Sequence, residues 1–261
     1  MTIDANTDSV TLRSGGEMPI VGFGTWQLRA GRAREAVRNA LLVGYRHIDT
    51  ATLYKNESEV GLALIDSGLP REELFITTKL PPDEQHARGA IEASLTFLRV
   101  DYVDLWLIHW PPPQAASRSL YKEMLALRDE GLARAIGVSN YTTDEIDDLT
   151  TAAGEAPEVD QVRWSPFLHD PARQRELDSR RIVLEGYSPL KESKLDDPVI
   201  GEIAAAIGVT PAQVVLRWHV QHGIVAIPKS ARRERIAENF DIFGFSLDDP
   251  SMQRLDAISS R

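Results

Sequence analysis

Four side chains capable of proton transfer stand at related places in this sequence. Asp49 ends a short apolar run, Lys79 follows the run 74–78, and His109 follows the run 102–108. Tyr54 lies five residues beyond Asp49. A carboxylate, an ammonium, an imidazole and a phenol around one opening can perform acid–base chemistry on a polar substrate. Each has a plainer reading when taken alone. An Asp at a strand end commonly caps a helix, a Lys after an apolar run extends its head into water, and a loop Tyr simply packs. Only their conjunction points to a site.

The elements that must position these groups are legible as a pattern. Apolar runs at 21–24, 47–49, 74–78, 102–108, 135–138, 158–161, 182–186 and 224–227 read as eight strands. Segments 33–43, 57–67 and 83–98 between them carry helical periodicity. Thr142 with Glu145 and Thr210 with Gln213 fit capping boxes, and Asp170-Pro171, Asp197-Pro198 and Asp249-Pro250 each set a capping carboxylate before a proline. Runs 10–12 and 18–20, separated by Ser14-Gly15-Gly16-Glu17, read as a hairpin.

Strands alternating with helices pair in parallel through right-handed crossovers. Eight such units predict one α/β domain over residues 1–261: a (β/α)8 TIM barrel with a short N-terminal β-hairpin and extra helices near the C-terminus. The rival, a doubly wound open sheet, would carry a glycine-rich turn after its first strand. Gly22-Phe23-Gly24-Thr25-Trp26-Gln27 begins like that fingerprint but places Gln27 where it needs a small residue. In a barrel, the site is built at the C-terminal rim. There the strands deliver Asp49, Lys79 and His109, then Ser139 and Asn140, Gln161, Tyr187 and Ser188, and finally Lys229 and Ser230.

Composition narrows the function. A chain that is 43% hydrophobic can bury a large core, and a net charge of −10 argues against a nucleic-acid partner. The absence of cysteine excludes disulfides, a thiolate nucleophile and Cys-ligated metal. No H-x-H or H-x-x-x-H pair is present, and His219 and His222 read as packing and surface, so no metal is expected. The first ten residues lack the features of a secretory signal, and no apolar run approaches the roughly 20 residues that span a bilayer. The expectation is a cytoplasmic protein with no membrane partner.

Longer motifs sharpen this reading. They are Gly44-Tyr45-Arg46-His47-Ile48-Asp49-Thr50-Ala51 with Tyr54 and Glu57; Thr77-Thr78-Lys79-Leu80; and the stretch 101–111, which ends Ile108-His109-Trp110-Pro111. Ile136-Gly137-Val138-Ser139-Asn140, Tyr187-Ser188-Pro189-Leu190, Ile227-Pro228-Lys229-Ser230 and Arg235-Ile236-Ala237-Glu238-Asn239 complete the set. In these motifs the chain resembles the aldo-keto reductase family, in particular its prokaryotic 2,5-diketo-D-gluconate reductase-like branch of broad carbonyl reductases. The resemblance covers residues 9 to 258.

The resemblance implies an oxidoreductase, usually a monomer, that reduces aldehydes, α-dicarbonyls and keto-sugars to alcohols with NADPH in preference to NADH. It implies a catalytic tetrad of Asp49, Tyr54, Lys79 and His109. Tyr54 would be the acid, its pKa lowered by Lys79; Asp49 would hold Lys79; His109 would orient the carbonyl. Thr25, Trp26, Ser139, Asn140, Gln161, Tyr187, Ser188 and Leu190 would contact the cofactor. Lys229, Ser230 and Arg235 would grip its 2′-phosphate, with Glu238 and Asn239 at the adenine. Trp26, Tyr54, His109 and Trp110 would meet the substrate. An alternative within the family is a catalytically weak NADPH-binding regulatory subunit; a barrel isomerase or metal-dependent hydrolase is a third reading.

Some positions depart from the family pattern. Pro81 stands where an aromatic residue is usual, Asp160-Gln161-Val162-Arg163-Trp164-Ser165-Pro166 keeps Gln161 but not its neighbours, and the C-terminal loop is short. These changes predict an open, aromatic-lined mouth and loose substrate binding.

Overall fold

The computed structural model describes residues 9–84 and 86–260. The N-terminal stretch 1–8, read above for a secretory signal, lies outside them. A two-stranded hairpin, β1 (Ser9–Thr11) and β2 (Glu17–Pro19), comes first. It begins one residue before the predicted runs and pairs Val10 with Met18. Eight parallel strands follow: β3 (Gly22–Gly24), β4 (His47–Asp49), β5 (Phe75–Leu80), β6 (Val103–Ile108), β7 (Ala133–Ser139), β8 (Val159–Arg163), β9 (Val183–Tyr187) and β10 (Val225–Ile227). Each pairs with its neighbour in sequence. The ring closes where Ala226 N donates to Ile20 O and Gly24 N donates to Pro228 O, both at 2.9 Å. The open-sheet rival is thereby ruled out.

Helices α1 (Gly31–Val43), α2 (Glu57–Ser67), α3 (Ala87–Leu98), α4 (Gln114–Asp129), α5 (Thr143–Ala153), α6 (Pro171–Ser179), α7 (Pro198–Ile207), α8 (Pro211–Gln221), α9 (Arg233–Phe240) and α10 (Asp249–Asp256) surround the strands. Both capping boxes form, at Thr142 and Thr210. Asp170 and Asp197 cap as predicted. The last cap is Asp248 rather than Asp249. Its carboxylate accepts from Ser251 N at 3.0 Å, which puts Asp249 inside the helix. Helix α3 starts at Ala87 rather than at residue 83. No single helix among the described residues is long and apolar enough to cross a membrane.

The two-residue pleat decides which side chains enter the barrel. On β6, Leu105 and Leu107 point inward while Trp106 and Ile108 face the helices. On β5, Phe75, Thr77 and Lys79 share the inner face, and Ile76 and Leu80 pack outward. The lower interior is apolar and is plugged by Leu12 and Met18 around the hairpin. The upper interior is polar, and it carries the site.

The helix layer is packed to backbone contact behind that interior. Gly61, midway along α2, faces the end of α3 so closely that a Cβ there would lie 2.7 Å from the Leu98 carbonyl. Gly61→Ala should therefore lower the urea midpoint, a loss of roughly 1–3 kcal/mol from overpacking, although Ala gains about 1 kcal/mol in helix propensity. A midpoint equal to or above wild type would show that α2 stands clear of α3.

Candidate active site

Alternation along β4 and β5 sends Asp49 and Lys79 into the barrel at adjacent strand ends. Lys79 is fully buried, and its Nζ donates to Asp49 Oδ1 at 2.7 Å, Asp49 Oδ2 at 2.6 Å and Thr50 O at 2.9 Å. The ammonium's three hydrogens thus have three oxygen acceptors. A lysine with its head in water was the plainer alternative, and complete burial excludes it. Burial pulls the Lys79 pKa down, but the charges of Asp49 and Tyr54 outweigh it and hold the group above its ordinary value.

Tyr54 ends a short 3-10 turn (Thr52–Tyr54) and lies beside this pair. Lys79 Nζ is 5.3 Å from its ring centroid. Burial pushes the Tyr54 phenol up to about 12, against the lowering effect of Lys79. The expected direction is therefore corrected: Lys79 acts with the predicted sign, but desolvation and the nearby Asp49 charge exceed it. The group remains protonated near neutrality, as a proton donor must be. His109, just beyond β6, packs edge-on to Tyr54 with ring centroids 5.6 Å apart. Burial, then the Lys79 charge, lowers His109 to about 3, so the ring is neutral. Its Nδ1 has no hydrogen-bond partner.

These groups meet a cavity of about 510 Å3 at the open end of the barrel. Asp49, Tyr54 and His109 line it; Lys79 lies behind them and does not reach it. Trp26 and Trp110 stand at its mouth, each about two-fifths exposed (40% and 44%). Pro81 is not in its wall.

Along the rim, Ser139, Asn140, Gln161 and Tyr187 form one network. The Tyr187 hydroxyl donates to Asn140 Oδ1 at 2.9 Å, and Asn140 Nδ2 donates to Ser139 Oγ at 2.9 Å and to His109 O at 3.2 Å. Gln161 Nε2 donates downward to Asp49 Oδ2 at 2.8 Å. Ser188, Leu190 and Lys229 also line the cavity. Gln27, Asn140 and Ser188 take left-handed backbone at the rim, with φ of 63°, 64° and 55°. Such strain gathers where the surrounding fold dictates the path of the chain, often at binding sites.

Other predicted residues lie elsewhere. Thr25 is buried outside the cavity wall, with its hydroxyl donating to Asp49 O. Ser230 is turned into its own loop, accepting from Arg232 N at 3.1 Å. On α9, Arg235 is exposed, Glu238 half-buried and Asn239 buried. None of these five lines the cavity.

Sequence reasoning missed Glu185 and His47. Both are wholly buried inside the barrel below Asp49, on the inward faces of β9 and β4. Their signal was a titratable residue at an inward pleat position of a barrel strand. Arg163 and Ser165, unexplained by the sequence, now have places. Arg163 sits 3.8 Å from Glu192 at the mouth, near Tyr187, and Ser165 caps a 3-10 turn. His219 is a packed core residue whose ring nitrogens lie 2.8 Å from Val215 O and 3.3 Å from Trp164 O, and its neutral ring donates to one of them. His222 joins His169 and Asp256, with ligand-type atoms within 4.8 Å of one another, outside the cavity.

The fold and this polar rim define a barrel oxidoreductase. The family model for the aldo/keto reductase family matches residues 20–260. The chain is 43% identical to methylglyoxal reductase DkgA of Yersinia pestis, over 91% of this chain and 88% of that one. It is 41% identical to glyoxal reductase of Bacillus subtilis, over 97% and 93%. Among solved structures, an aldo/keto reductase from Brucella melitensis superposes with a TM-score of 0.95 at 37% identity, covering 99% of both chains. A mutant of Gox0644 in complex with NADPH superposes at 0.92 and 38%, covering 96% and 93%. This chain belongs to the aldo/keto reductase family.

Burial lowers His47 and His219 to about 4 as well as His109 to about 3. A lowered imidazole pKa means that the neutral ring persists as acid is added. The ring nitrogen shifts of all three should stay at neutral values from pH 8 down to pH 5 in an NMR titration, about 1.5 units below the ordinary histidine midpoint. A midpoint near 6.5 for any of them would show that water reaches it.

Proposed function

We propose that the cavity takes NADPH beside a small aldehyde or α-dicarbonyl, and that the carbonyl is reduced to an alcohol with Tyr54 giving the proton. The observation that carries this reading is the buried Asp49–Lys79 pair set behind a protonated phenol and a neutral imidazole that share one cavity wall. The residues present fit a nicotinamide dinucleotide. Tyr187 stands beside the amides of Asn140 and Gln161, and Lys229 supplies an ammonium on the same cavity. Bound nicotinamide supplies the hydride, which no side chain can donate.

The chain's own groups do the rest. His109 offers a ring N–H to the carbonyl oxygen and fixes its place. As negative charge grows on that oxygen, Tyr54 releases its proton to it, since an alkoxide is more basic than a phenolate. Lys79 then faces the phenolate, whose charge it stabilises, and Asp49 keeps Lys79 in position. Trp26 and Trp110 give the mouth apolar surface but few walls, which suits small substrates such as methylglyoxal and glyoxal, the substrates named for the relatives. Arg235, Lys229 and Ser230 are the groups proposed to hold the 2′-phosphate, with Glu238 and Asn239 at the adenine and Thr25 supporting the wall.

Absorbance of NADPH followed in the presence of purified protein and methylglyoxal should fall only when all three are present. No oxidation across a panel of aldehydes and α-dicarbonyls would remove the proposal. Tyr54→Phe should lower kcat by on the order of a hundredfold or more while NADPH binding persists. Arg235→Ala should raise the KM for NADPH roughly tenfold, the value of one charged hydrogen bond, and leave NADH kinetics unchanged. Equal effects on both cofactors would place Arg235 away from the 2′-phosphate.

A further inference from the structure

We propose that Glu185 is a positioning residue for the cofactor pocket: it locks the Gln161 side-chain amide so that the carbonyl oxygen, not the amino group, is presented to the cavity. The proposal rests on the nicotinamide reading above.

Glu185 and Gln161 lie directly opposite one another on paired strands β9 and β8. Gln161 Nε2 is 2.8 Å from Glu185 Oε2 and 2.8 Å from Asp49 Oδ2. A primary amide has two N–H donors, and these two oxygens take both. The remaining polar atom of Gln161 is its carbonyl oxygen, and Gln161 is part of the cavity wall. Asp49 alone would hold one N–H; Glu185 takes the second, and in the rotated orientation the amide oxygen would confront the Asp49 carboxylate while both N–H donors lose their acceptors.

A simple space-filling role does not account for a carboxyl here. Other inward residues of the barrel, among them Leu105, Val159 and the Val225 that pairs with Glu185, are apolar, and an apolar residue would fill the volume. Glu185 instead is wholly buried, with Oε1 lacking a hydrogen-bond partner and lying 3.7 Å from His47 Nε2. Such a group costs stability unless it is paired and hydrogen-bonded, so a carboxyl with one unpartnered oxygen points to a use other than stability. The charged and titratable groups facing it are Asp49, Lys79 and His47. Burial, then the Asp49 charge, raises the Glu185 pKa well above the ordinary carboxyl range and so favours the protonated form. With Oε2 accepting from Gln161, its proton belongs on Oε1, and Lys79 keeps one buried anion as counter-ion.

A carbonyl oxygen facing the nicotinamide end of the pocket accepts from the carboxamide NH2 of the cofactor. An analogue with an acetyl group in place of the carboxamide has no such donor. Binding of NADP and of its 3-acetylpyridine analogue, read by tryptophan fluorescence, tests the proposal. The wild type should prefer NADP by on the order of tenfold, one hydrogen bond. Glu185→Met and Gln161→Met should each abolish the preference. Glu185→Gln, a neutral side chain that keeps an acceptor oxygen in place, should retain it. A merely structural role would weaken both ligands equally and leave their ratio intact.

Retention of the preference in Glu185→Met, or its absence in the wild type, overturns the proposal. A wild type that binds neither dinucleotide overturns the cofactor reading as well, so the two failures are distinguishable. Should Glu185→Met not fold, NMR of the wild-type protein decides. The Gln161 side-chain amide protons, assigned by their loss in Gln161→Met, should exchange slowly with solvent, and fast exchange of either overturns the proposal.

Discussion

The rest of this site depends on one ion pair, Lys79 with Asp49, held in the buried upper interior of the barrel. Removing two charges from water costs several kcal/mol each, and their attraction offsets this only when geometry is close and the remaining donors are satisfied. Here the ammonium has oxygen partners on all three hydrogens, two of them on one carboxylate. The parallel pairing of β4 with β5 provides that geometry, because Asp49 and Lys79 leave adjacent strands on the same inner face. A shift of one residue in either register would turn one partner outward into the helix layer.

The molecule separates stability from chemistry along the barrel axis. Its lower half is apolar and plugged by the hairpin, and helices outside it pack to backbone contact, as at Gly61. Its upper half holds a polar interior in which Asp49, Lys79, Gln161, Glu185 and His47 face one another. The rim above carries left-handed backbone at Gln27, Asn140 and Ser188, positions that a rigid barrel can enforce. Neutral His109 and protonated Tyr54 both follow from desolvation in this setting rather than from any single neighbour.

Much of the architecture was legible in advance because its signals are local. All eight barrel strands coincide with apolar runs, and Thr142 and Thr210 announced their helices through side-chain-to-backbone bonds three residues long. Boundaries were less legible. Asp248 and Asp249 are chemically identical cap candidates, and the structure uses the first, whose carboxylate accepts from Ser251 N. Arg163 was opaque because its partners, Tyr187 and Glu192, come from the next strand and its following loop.

The sequence by itself determined the period of the strands, the helix starts and the identity of the polar residues at the strand ends, since these depend on neighbours along the chain. Tertiary structure alone decided how those residues are used. It buried Lys79 completely, moved the Tyr54 phenol upward against the pull of Lys79, and drew Thr25 and Ser230 out of the cavity wall. It also placed Glu185 beneath Gln161. Desolvation and cross-strand contacts are properties of the closed barrel, summed over residues more than 100 positions apart, as Asp49 and Gln161 are, and no local pattern contains them.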